Sequence, residues 1–565
     1  MVTIMPKQRL ELTWIGKDVR PKLEPRILLE DPARSYHAPH RVSDKDIFDN
    51  MLIHGDNLLA LKALEQEFTG KVKCIYIDPP YNTGSAFEHY DDGVEHSLWL
   101  SLMRDRLELL RGLLAEDGSL WVNLDDNEAH YFKVMCDEVF GRKNFVANVI
   151  WQKKFAPQND AKLIDADHDH ILIFGKDSTK TSFNLLPRTE AMDARYKNPD
   201  NDPRGPWASG DSLRKEFREY AYYEITTPSG RKVLPPPGSS WRFNKEELPG
   251  LTAENRLWFG ADGNGVPRIK RFLSDVKQGI IPQTVWLHSQ VGHTQDAKKE
   301  IIRINAESIF DTPKPEKLIQ RILEIATNPG DLVLDSFLGS GTTAAVAHKM
   351  GRRWIGIELG EHCYTHCIPR LQKVINGEDP GGITKAQNWQ GGGGFRFYEL
   401  APSLIKLDPW DIPVINPAFN AEMLAEAVCK LHGYRYAPCV DWFWMHGEGH
   451  KNSYIFVTTQ TLTTEILQFI SDQVGESRSL LICCPPCPEA NAKLFPNISL
   501  SIMPNALLKR YEWDHDDYSL NVKNLPQVEP QPSAPAERAG RTARGKKAEA
   551  SGQVSLLDFP KGGAE

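Results

Sequence analysis

A strand–helix–strand unit near the start of the chain constrains the fold more than any other feature. Residues 51–56 predict a buried strand that ends in Gly-Asp, residues 58–64 carry apolar side chains at helical spacing, and residues 72–77 predict a second strand. Two strands joined by one helical connection run parallel in a sheet. The sequence therefore predicts an α/β fold built on a parallel sheet.

The second of these strands stops at the sequence Asp78-Pro79-Pro80-Tyr81. Prolines donate no backbone hydrogen bond and hold φ near one value, so the turn after the strand is stiff. The turn offers a carboxylate, carbonyl oxygens and an aromatic face, which together suit a flat polar ring. A proline-rich turn with a capping aspartate would have the same composition, so a second motif is needed to decide.

That second motif is a glycine-rich turn in the later part of the chain. Residues 331–337 predict a strand, 338–343 the turn, 344–350 a helix, and 353–358 a strand that ends in an acid. Such a turn lets the backbone approach a nucleotide cofactor, and the acid accepts hydrogen bonds from its ribose hydroxyls. Thr343-Ala344 replace the third glycine of a dinucleotide fingerprint, and no Gly-Lys-Ser/Thr follows, which excludes a phosphate loop. Alone, the turn is equally typical of a structural loop.

Together, the two motifs resemble those of the amino-group DNA methyltransferases that use S-adenosyl-L-methionine. The order of catalytic motif, recognition region and cofactor motif is that of the β class, and it resembles the modification (Mod) subunits of type III restriction systems. The resemblance covers most of residues 45–400. It implies a Rossmann-like α/β methyltransferase core with an inserted target recognition region and a small C-terminal α/β domain.

The resemblance also implies a role for each motif residue. An adenine flipped out of duplex DNA would place its amino group against the Asp78 carboxylate and the Pro79 carbonyl, beside Pro80, while Tyr81 stacks on the ring. The residues expected to bind the cofactor are Asp335, Phe337, Gly339, Gly341, Thr342 and Glu358, with Lys314 and Asp56 as less specific members. This chemistry requires no metal ion and no covalent nucleophile.

Adenine N6 is expected as the methylated atom because cytosine enzymes of the family commonly place Ser where this chain has Asp78. An ionised carboxylate accepts a stronger hydrogen bond than a hydroxyl does. Three alternatives stay open: an N4-cytosine enzyme, methylation of an amide or amine in RNA or protein, and a non-catalytic subunit for DNA recognition and docking.

Composition changes along the chain divide it into six segments. These are an N-terminal arm (1–44), the catalytic half of the core (45–154), a target recognition region (155–285), the cofactor-binding half (286–402), a small α/β domain (403–523) and a disordered tail (524–565). The recognition region is rich in Pro, Gly, Asn and interleaved aromatic residues, which predicts loops with small satellite cores. Residues 395–400 predict the last edge strand of the core.

Charge, cysteines and hydropathy limit the partners and the compartment. The formal charge is −8, so contacts to double-stranded DNA must be local and fitted to its shape. Nine scattered cysteines fit a reducing cytoplasm, and the clusters at 362–367 and 483–487 lack a second ligand pair for a metal. No apolar run reaches membrane-spanning length, so a cytoplasmic protein is expected. The expected partners are a restriction/helicase subunit and a second copy of the chain, with residues 403–523 as the expected docking domain.

Overall fold

The computed structural model describes residues 11–81, 92–156, 164–276, 279–304, 310 and 312–519. The first part of the chain contributes seven strands and three helices. The strands are β1 (Leu28–Glu30), β2 (Tyr36–His37), β3 (Asn50–His54), β4 (Val72–Ile77), β5 (Leu114–Leu124), β6 (Phe145–Gln152) and β7 (His168–Gly175). The helices are α1 (Asn57–Phe68), α2 (Asp92–Leu113) and α3 (Ala129–Cys136).

The middle of the chain contains short strands and short helices. They are α4 (Glu190–Asp193), β8 (Trp207–Gly210), β9 (Leu213–Arg214), β10 (Ile225–Thr226), β11 (Lys232–Val233), β12 (Ser240–Trp241), α5 (Leu248–Ala253), β13 (Leu257–Trp258), β14 (Arg268–Phe272) and β15 (Val285–Trp286). Longer elements then return. They are α6 (His288–Val291), α7 (Thr294–Ile304), α8 (Glu316–Ala326), β16 (Leu332–Asp335), α9 (Thr342–Lys349), β17 (Arg353–Glu358), α10 (Ile368–Ile375) and β18 (Gly394–Leu400).

One sheet runs through the core in the order β1-β18-β3-β17-β16-β4-β5-β7-β6-β15. The strands from β18 to β5 are all parallel, whereas β7 lies antiparallel between β5 and β6. This arrangement confirms the predicted α/β fold. Because β16 and β4 are neighbours, the turns that follow them lie at the same edge of the sheet.

Helices cover both faces of this sheet, since alternate residues of each strand enter different cores. In β3, Met51 and Ile53 belong to the core formed with α1, α2 and α3, while Leu52 belongs to the core formed with α8, α9 and α10. In β4, Ile75 and Cys74 divide in the same way. The central strands are therefore buried on both faces, which explains their nearly continuous apolar sequence.

The N-terminal arm corrects one prediction about the sheet edge. β18 is not the last strand, because β1 pairs with its C-terminal half at 398–400 and β2 pairs with its start at 394–395, both antiparallel. Both strands are only two or three residues long, so they are stabilised by pairing with β18 and not by a core of their own.

The predicted recognition region includes one strand of the central sheet, β7, and the segment outside that sheet runs from 176 to 284. Its strands form the small sheets β13-β14-β8, β10-β11 and β12-β9. Trp241 and Phe243 stack in a separate core with Ile225, Val233 and Leu257. The division into six segments stays a prediction, and the tail 524–565 lies outside the described residues.

The C-terminal part of the chain forms a five-stranded sheet and a separate two-stranded sheet. Its elements are β19 (Ile405–Leu407), β20 (Pro413–Ile415), α11 (Ala421–Leu431), β21 (Arg435–Tyr436), β22 (Gly447–Glu448), β23 (Ser453–Val457), α12 (Thr464–Val474), β24 (Ser479–Cys484) and β25 (Ile498–Ile502). β21 to β25 follow one another in the five-stranded sheet, whose core includes α11, α12 and Ile27 of the arm, and β19 pairs with β20 in the other sheet. None of the helices in the described residues is both long and apolar enough to cross a membrane.

Candidate active site

A cavity of about 450 Å³ opens where β4, β16 and β17 end. Ten of the twelve predicted site residues line it: Asp78, Pro79, Pro80, Tyr81, Lys314, Asp335, Phe337, Gly339, Thr342 and Glu358. The turns after three parallel strands meet at one edge of the sheet, which brings together two motifs that are far apart in sequence. Gly341 and Asp56 are the two predicted residues that do not line this cavity.

The two glycines of the turn after β16 have left-handed backbone conformations. The φ angle is 56° at Gly339 and 79° at Gly341, a region that side chains other than glycine rarely adopt. A Cβ atom on Gly339 would lie 3.0 Å from the Phe310 ring, which also lines the cavity. A Cβ on Gly341 would lie 3.3 Å from the backbone of Cys367, behind the cavity. Gly339 therefore keeps the cavity open, while Gly341 allows the start of α9 to lie close to the backbone of Cys367.

The Glu358 carboxylate is bound to the glycine-rich turn. It accepts a hydrogen bond from the Gly339 amide at 2.6 Å with one oxygen and from the Gly360 amide at 2.9 Å with the other. Burial raises the pKa of Glu358, and these two amides oppose that effect. Each oxygen keeps a second lone pair, so Glu358 can still accept hydrogen bonds from a ligand in the cavity.

Asp335, the last residue of β16, is a second buried acid of the cavity. It accepts a hydrogen bond from the Phe337 amide at 2.9 Å, which fixes the start of the turn. Burial raises the pKa of Asp335 to about 7, although the hydrogen bonds from Thr343 and Phe337 lower it, and the charges of Asp78 and Glu358 raise it further. The cavity thus contains three acids close enough to influence one another.

The Asp78 carboxylate is contacted on both oxygens. One accepts a hydrogen bond from the Tyr81 hydroxyl at 2.8 Å, and the other forms an ion pair with the Lys314 ammonium. Burial raises the pKa of Asp78, Lys314 and Tyr81 lower it, and the nearby charge of Asp169 raises it. The turn itself is supported by Trp99, whose indole donates a hydrogen bond to the Pro80 carbonyl at 2.8 Å. Lys314, which is predicted among the cofactor-binding residues, therefore pairs with Asp78 of the other motif in the same cavity.

Asn123 connects the Tyr81 hydroxyl to a second ion pair. Asp169 lies 3.3 Å from that hydroxyl with one oxygen and accepts a hydrogen bond from Lys153 at 2.6 Å with the other. Asn123 donates to the Tyr81 hydroxyl and also, at 3.2 Å, to Asp169. Burial raises the pKa of Tyr81, so the hydroxyl stays protonated and can donate to Asp78. Tyr81 is thus fixed at its far end before any ligand enters.

Sequence reasoning did not find Asn123, Lys153, Asp169, Phe310 or His362, although Phe310 and His362 line the cavity. Asp169 is only 1% exposed and lies between His168 and His170 at the start of β7, before the apolar residues 171–174. A carboxylate between two histidines directly before an apolar segment was the available signal. Its relevance depends on β7 running antiparallel to β5, which brings the start of β7 to the edge where β5 ends.

Asp56 has a structural role in place of the predicted one. Its side chain caps α1 by accepting hydrogen bonds from the amides of Leu58 and Leu59 at 2.8 and 3.1 Å. Its other oxygen accepts from the Tyr518 amide at 3.0 Å and pairs with Arg106. An aspartate between a strand and a helix is an N-cap as readily as a cofactor ligand, and here the cap explains it.

Comparison with known proteins identifies the family to which the chain belongs. The profile of the DNA methylase family (N6_N4_Mtase) matches residues 72–368, which contain both motifs. The chain is 33% identical over 459 residues to the probable type III restriction-modification enzyme HindVI Mod subunit of Haemophilus influenzae, covering 71% of this chain and 60% of that protein. It is 32% identical over 370 residues to the StyLTI Mod subunit of Salmonella typhimurium, covering 59% and 55%.

A third relative, the type III restriction-modification enzyme EcoP15I Mod subunit of Escherichia coli, is 26% identical over 494 residues, covering 74% of this chain and 75% of that protein. The matched part spans only about 60% of the HindVI subunit and 55% of the StyLTI subunit. These matches confirm the resemblance that the two motifs indicate. The chain belongs to the DNA methylase family.

Proposed function

We propose that this protein is a site-specific DNA methyltransferase that methylates the N6 amino group of adenine, as the modification subunit of a restriction-modification system. The observation that carries the proposal is that the Asp78–Tyr81 turn, the glycine-rich turn at Gly339 and Glu358 line one cavity. A methyl donor and a methyl acceptor have to meet in such a space. The three Mod relatives are named as parts of restriction-modification enzymes, which supports the assignment to such a system.

The cofactor half of the cavity fits S-adenosyl-L-methionine. The open space above Gly339 would be filled by a Cβ atom, and Glu358 keeps acceptor capacity for ribose hydroxyls. The volume also falls within the roughly 300–1,000 Å³ of small-molecule sites. Gly339, Glu358, Phe337 and Thr342 would hold the cofactor. When bound, it supplies a methyl group already activated by its sulfonium, so the protein contributes mainly positioning and electrostatics.

Asp78 and Tyr81 would act on the flipped adenine. Asp78 accepts a hydrogen bond from the amino group, which draws the nitrogen lone pair out of conjugation with the ring. After methyl transfer the nitrogen carries a positive charge, and Asp78 is placed to accept the proton that it loses. Lys314 and the Tyr81 hydroxyl favour the ionised form of Asp78 against the effect of its burial, because both lower its pKa. Tyr81 offers its ring for stacking, while Asn123 connects its hydroxyl to the Lys153–Asp169 pair.

The proposed partners follow from the same assignment. Residues 176–284 lie outside the central sheet and would read the DNA sequence next to the cavity. The C-terminal sheet contributes no residue to the cavity, so it is the proposed docking surface for a restriction subunit or a second copy of the chain.

Transfer of labelled methyl from S-adenosyl-L-methionine to DNA tests the function. Unmethylated genomic DNA is the best substrate, because it contains every short site and the recognised sequence need not be known. We expect labelled DNA whose digested nucleosides contain N6-methyladenine, and no label with Asp78→Ala. A methylcytosine product would assign the N4 alternative, and failure to label any DNA, with the cofactor bound, would reject the enzyme.

A further inference from the structure

Three side chains with metal-binding atoms, those of Asp126, His130 and His170, converge outside the cavity, and a fourth, His168, lies beside them. Asp126 follows the end of β5, His130 lies in the first turn of α3, and His168 and His170 are alternate residues of β7. Residues two apart on a strand share a face, and residues four apart across a helix start lie close together. The fold thus gathers three imidazoles around one carboxylate.

The distances within this cluster are short. The Asp126 carboxylate lies 2.8 Å from His170 Nε2 and 3.9 Å from His168 Nε2. One ligand atom each from Asp126, His130 and His170 lies within 4.8 Å of the others. The ring centroids of His130 and His168 are 5.4 and 5.1 Å from that of His170. Ligand atoms on a tetrahedral zinc ion are about 3.3 Å apart, so small side-chain rotations would complete a coordination shell.

His170 is held in one orientation, whereas the side chains of Asp126 and His130 can rotate. His170 is buried, and its other ring nitrogen, Nδ1, lies 2.9 Å from the Asn148 amide. Metal-binding histidines are commonly oriented in this way through the nitrogen that does not bind the metal. Asp126 and His130 are exposed, which allows an ion to enter and lets both side chains rotate without disturbing the core.

The charges of the cluster agree with this arrangement. The hydrogen bond from His170 lowers the pKa of Asp126, and His170, His168 and His130 all lower it further by their charge. One ring nitrogen of each of the three histidines also lies within 4.8 Å of this carboxylate. Three nitrogen ligands and one oxygen favour Zn²⁺, Co²⁺ or Ni²⁺ over Mg²⁺ or Ca²⁺, which prefer oxygen ligands.

We propose that Asp126, His130, His168 and His170 form a binding site for a divalent transition-metal ion, separate from the methyl-transfer cavity. The ion replaces the proton shared by Asp126 and His170. It ties the end of β5, the start of α3 and the start of β7 to one another. Asp169 lies between two of the ligands and Asn123 lies three residues before a third, so the ion stabilises the wall that holds Tyr81.

Cobalt titration of the untagged protein, freed of metal with a chelator, tests the site. We expect one tightly bound Co²⁺ per chain with the visible absorption of tetrahedral cobalt, and a melting temperature that rises when Zn²⁺ is added. His130→Ala and His170→Ala should weaken Co²⁺ binding at least tenfold, as loss of supporting groups alone does in other sites. His450→Ala, at an exposed histidine of the C-terminal domain, is the control and should bind as the wild type does.

His130→Ala keeps the test valid if His170→Ala does not fold, because His130 is exposed. Equal Co²⁺ affinity in His130→Ala and the wild type would overturn the proposal, as would binding without tetrahedral absorption. If His130→Ala instead weakens DNA binding by the metal-free protein and leaves Co²⁺ affinity unchanged, the imidazoles contact DNA phosphates and the metal site is rejected. None of these measurements depends on methyl transfer.

Discussion

The Tyr81 hydroxyl donates a hydrogen bond to the Asp78 carboxylate at 2.8 Å. Asn123 donates hydrogen bonds both to this hydroxyl and to Asp169. The ring therefore cannot turn without breaking a buried hydrogen-bond network. The acceptor and the stacking surface of the proposed base site are thus fixed to each other before a base arrives. Because Asp78 and Tyr81 are already in position, less conformational entropy has to be lost when the base binds and reacts.

Removing the support behind Tyr81 should slow methyl transfer without weakening cofactor binding. We expect Asp169→Asn and Lys153→Met to reduce single-turnover transfer by about 10- to 100-fold, since small misplacements of reacting groups cost that much. The cofactor affinity, measured by calorimetry, should stay within about twofold because neither residue contacts the Gly339 turn. Lys180→Met, which breaks the exposed pair with Glu116, is the matched control. Unchanged transfer by both variants would leave the second ion pair with a structural role only.

Asp78→Ala should stop turnover while the protein still binds S-adenosyl-L-methionine. The carboxylate is the proposed acceptor for the adenine amino group, and losing such a group costs at least about 10²-fold in rate. Calorimetry with the cofactor and label transfer to DNA separate the two effects. Methylation close to the wild-type rate would show that Asp78 is not the acceptor.

Gly339→Val should abolish cofactor binding by filling the cavity beside Phe310, and Glu358→Ala should weaken it by removing the ribose acceptor. Gly351→Ala is the control for backbone strain, because its φ is 68° and a Cβ there meets nothing within 4 Å. We expect that variant to lose some stability and to bind the cofactor normally. Normal binding by Gly339→Val would place the cofactor elsewhere.

The rate should fall in acid as the Asp78 carboxyl takes up a proton, at a pH above the usual range because burial raises its pKa. The Asp169 charge contributes to that rise, so Asp169→Asn should move the acid limb of the rate profile to lower pH. Lys314 lowers the pKa, so Lys314→Met should move the limb to higher pH. Rates at saturating cofactor and DNA across the acid and neutral range test both shifts. Shifts in the opposite directions would contradict Asp78 as the titrating group.

Exchanging residues 176–284 with those of a related enzyme should change the methylated DNA sequence and leave the methylated atom unchanged. The segment has its own small core around Trp241 and Phe243 and stands outside the central sheet, so its replacement preserves β7 and Asp169. Sequencing of modified sites in a host that expresses the exchanged protein reports the outcome. The same site preference from a folded, active exchange would assign DNA recognition to another part of the chain.

Most of the local structure could be predicted because its signals are local. The strands predicted at 72–77 and 353–358 lie at those residues, because the alternation of apolar side chains is a local signal. The two motifs could be placed in one cavity because parallel strands end at a shared edge. Asp56 shows the limit of this reasoning, since one aspartate position suits both a helix cap and a ligand.

The Lys153–Asp169 pair could not be predicted because it depends on strand order. β7 inserts between β5 and β6 and reverses direction, and only that arrangement brings Asp169 to Tyr81. The sequence separation between Asp169 and Tyr81 carries no information about this pairing. A carboxylate between two histidines marks the position in the sequence but does not identify Tyr81 as its partner.

The pairing of β1 and β2 with β18 has a consequence for handling the protein. An uncovered strand edge is a template on which another chain can add a strand, and such addition leads to aggregation. Between them, the two arm strands occupy both halves of the outer side of β18. A shortened protein that lacks residues 1–40 would keep every cavity residue but would expose this strand edge, so we expect it to be less soluble. The arm thus protects the edge of β18 from aggregation.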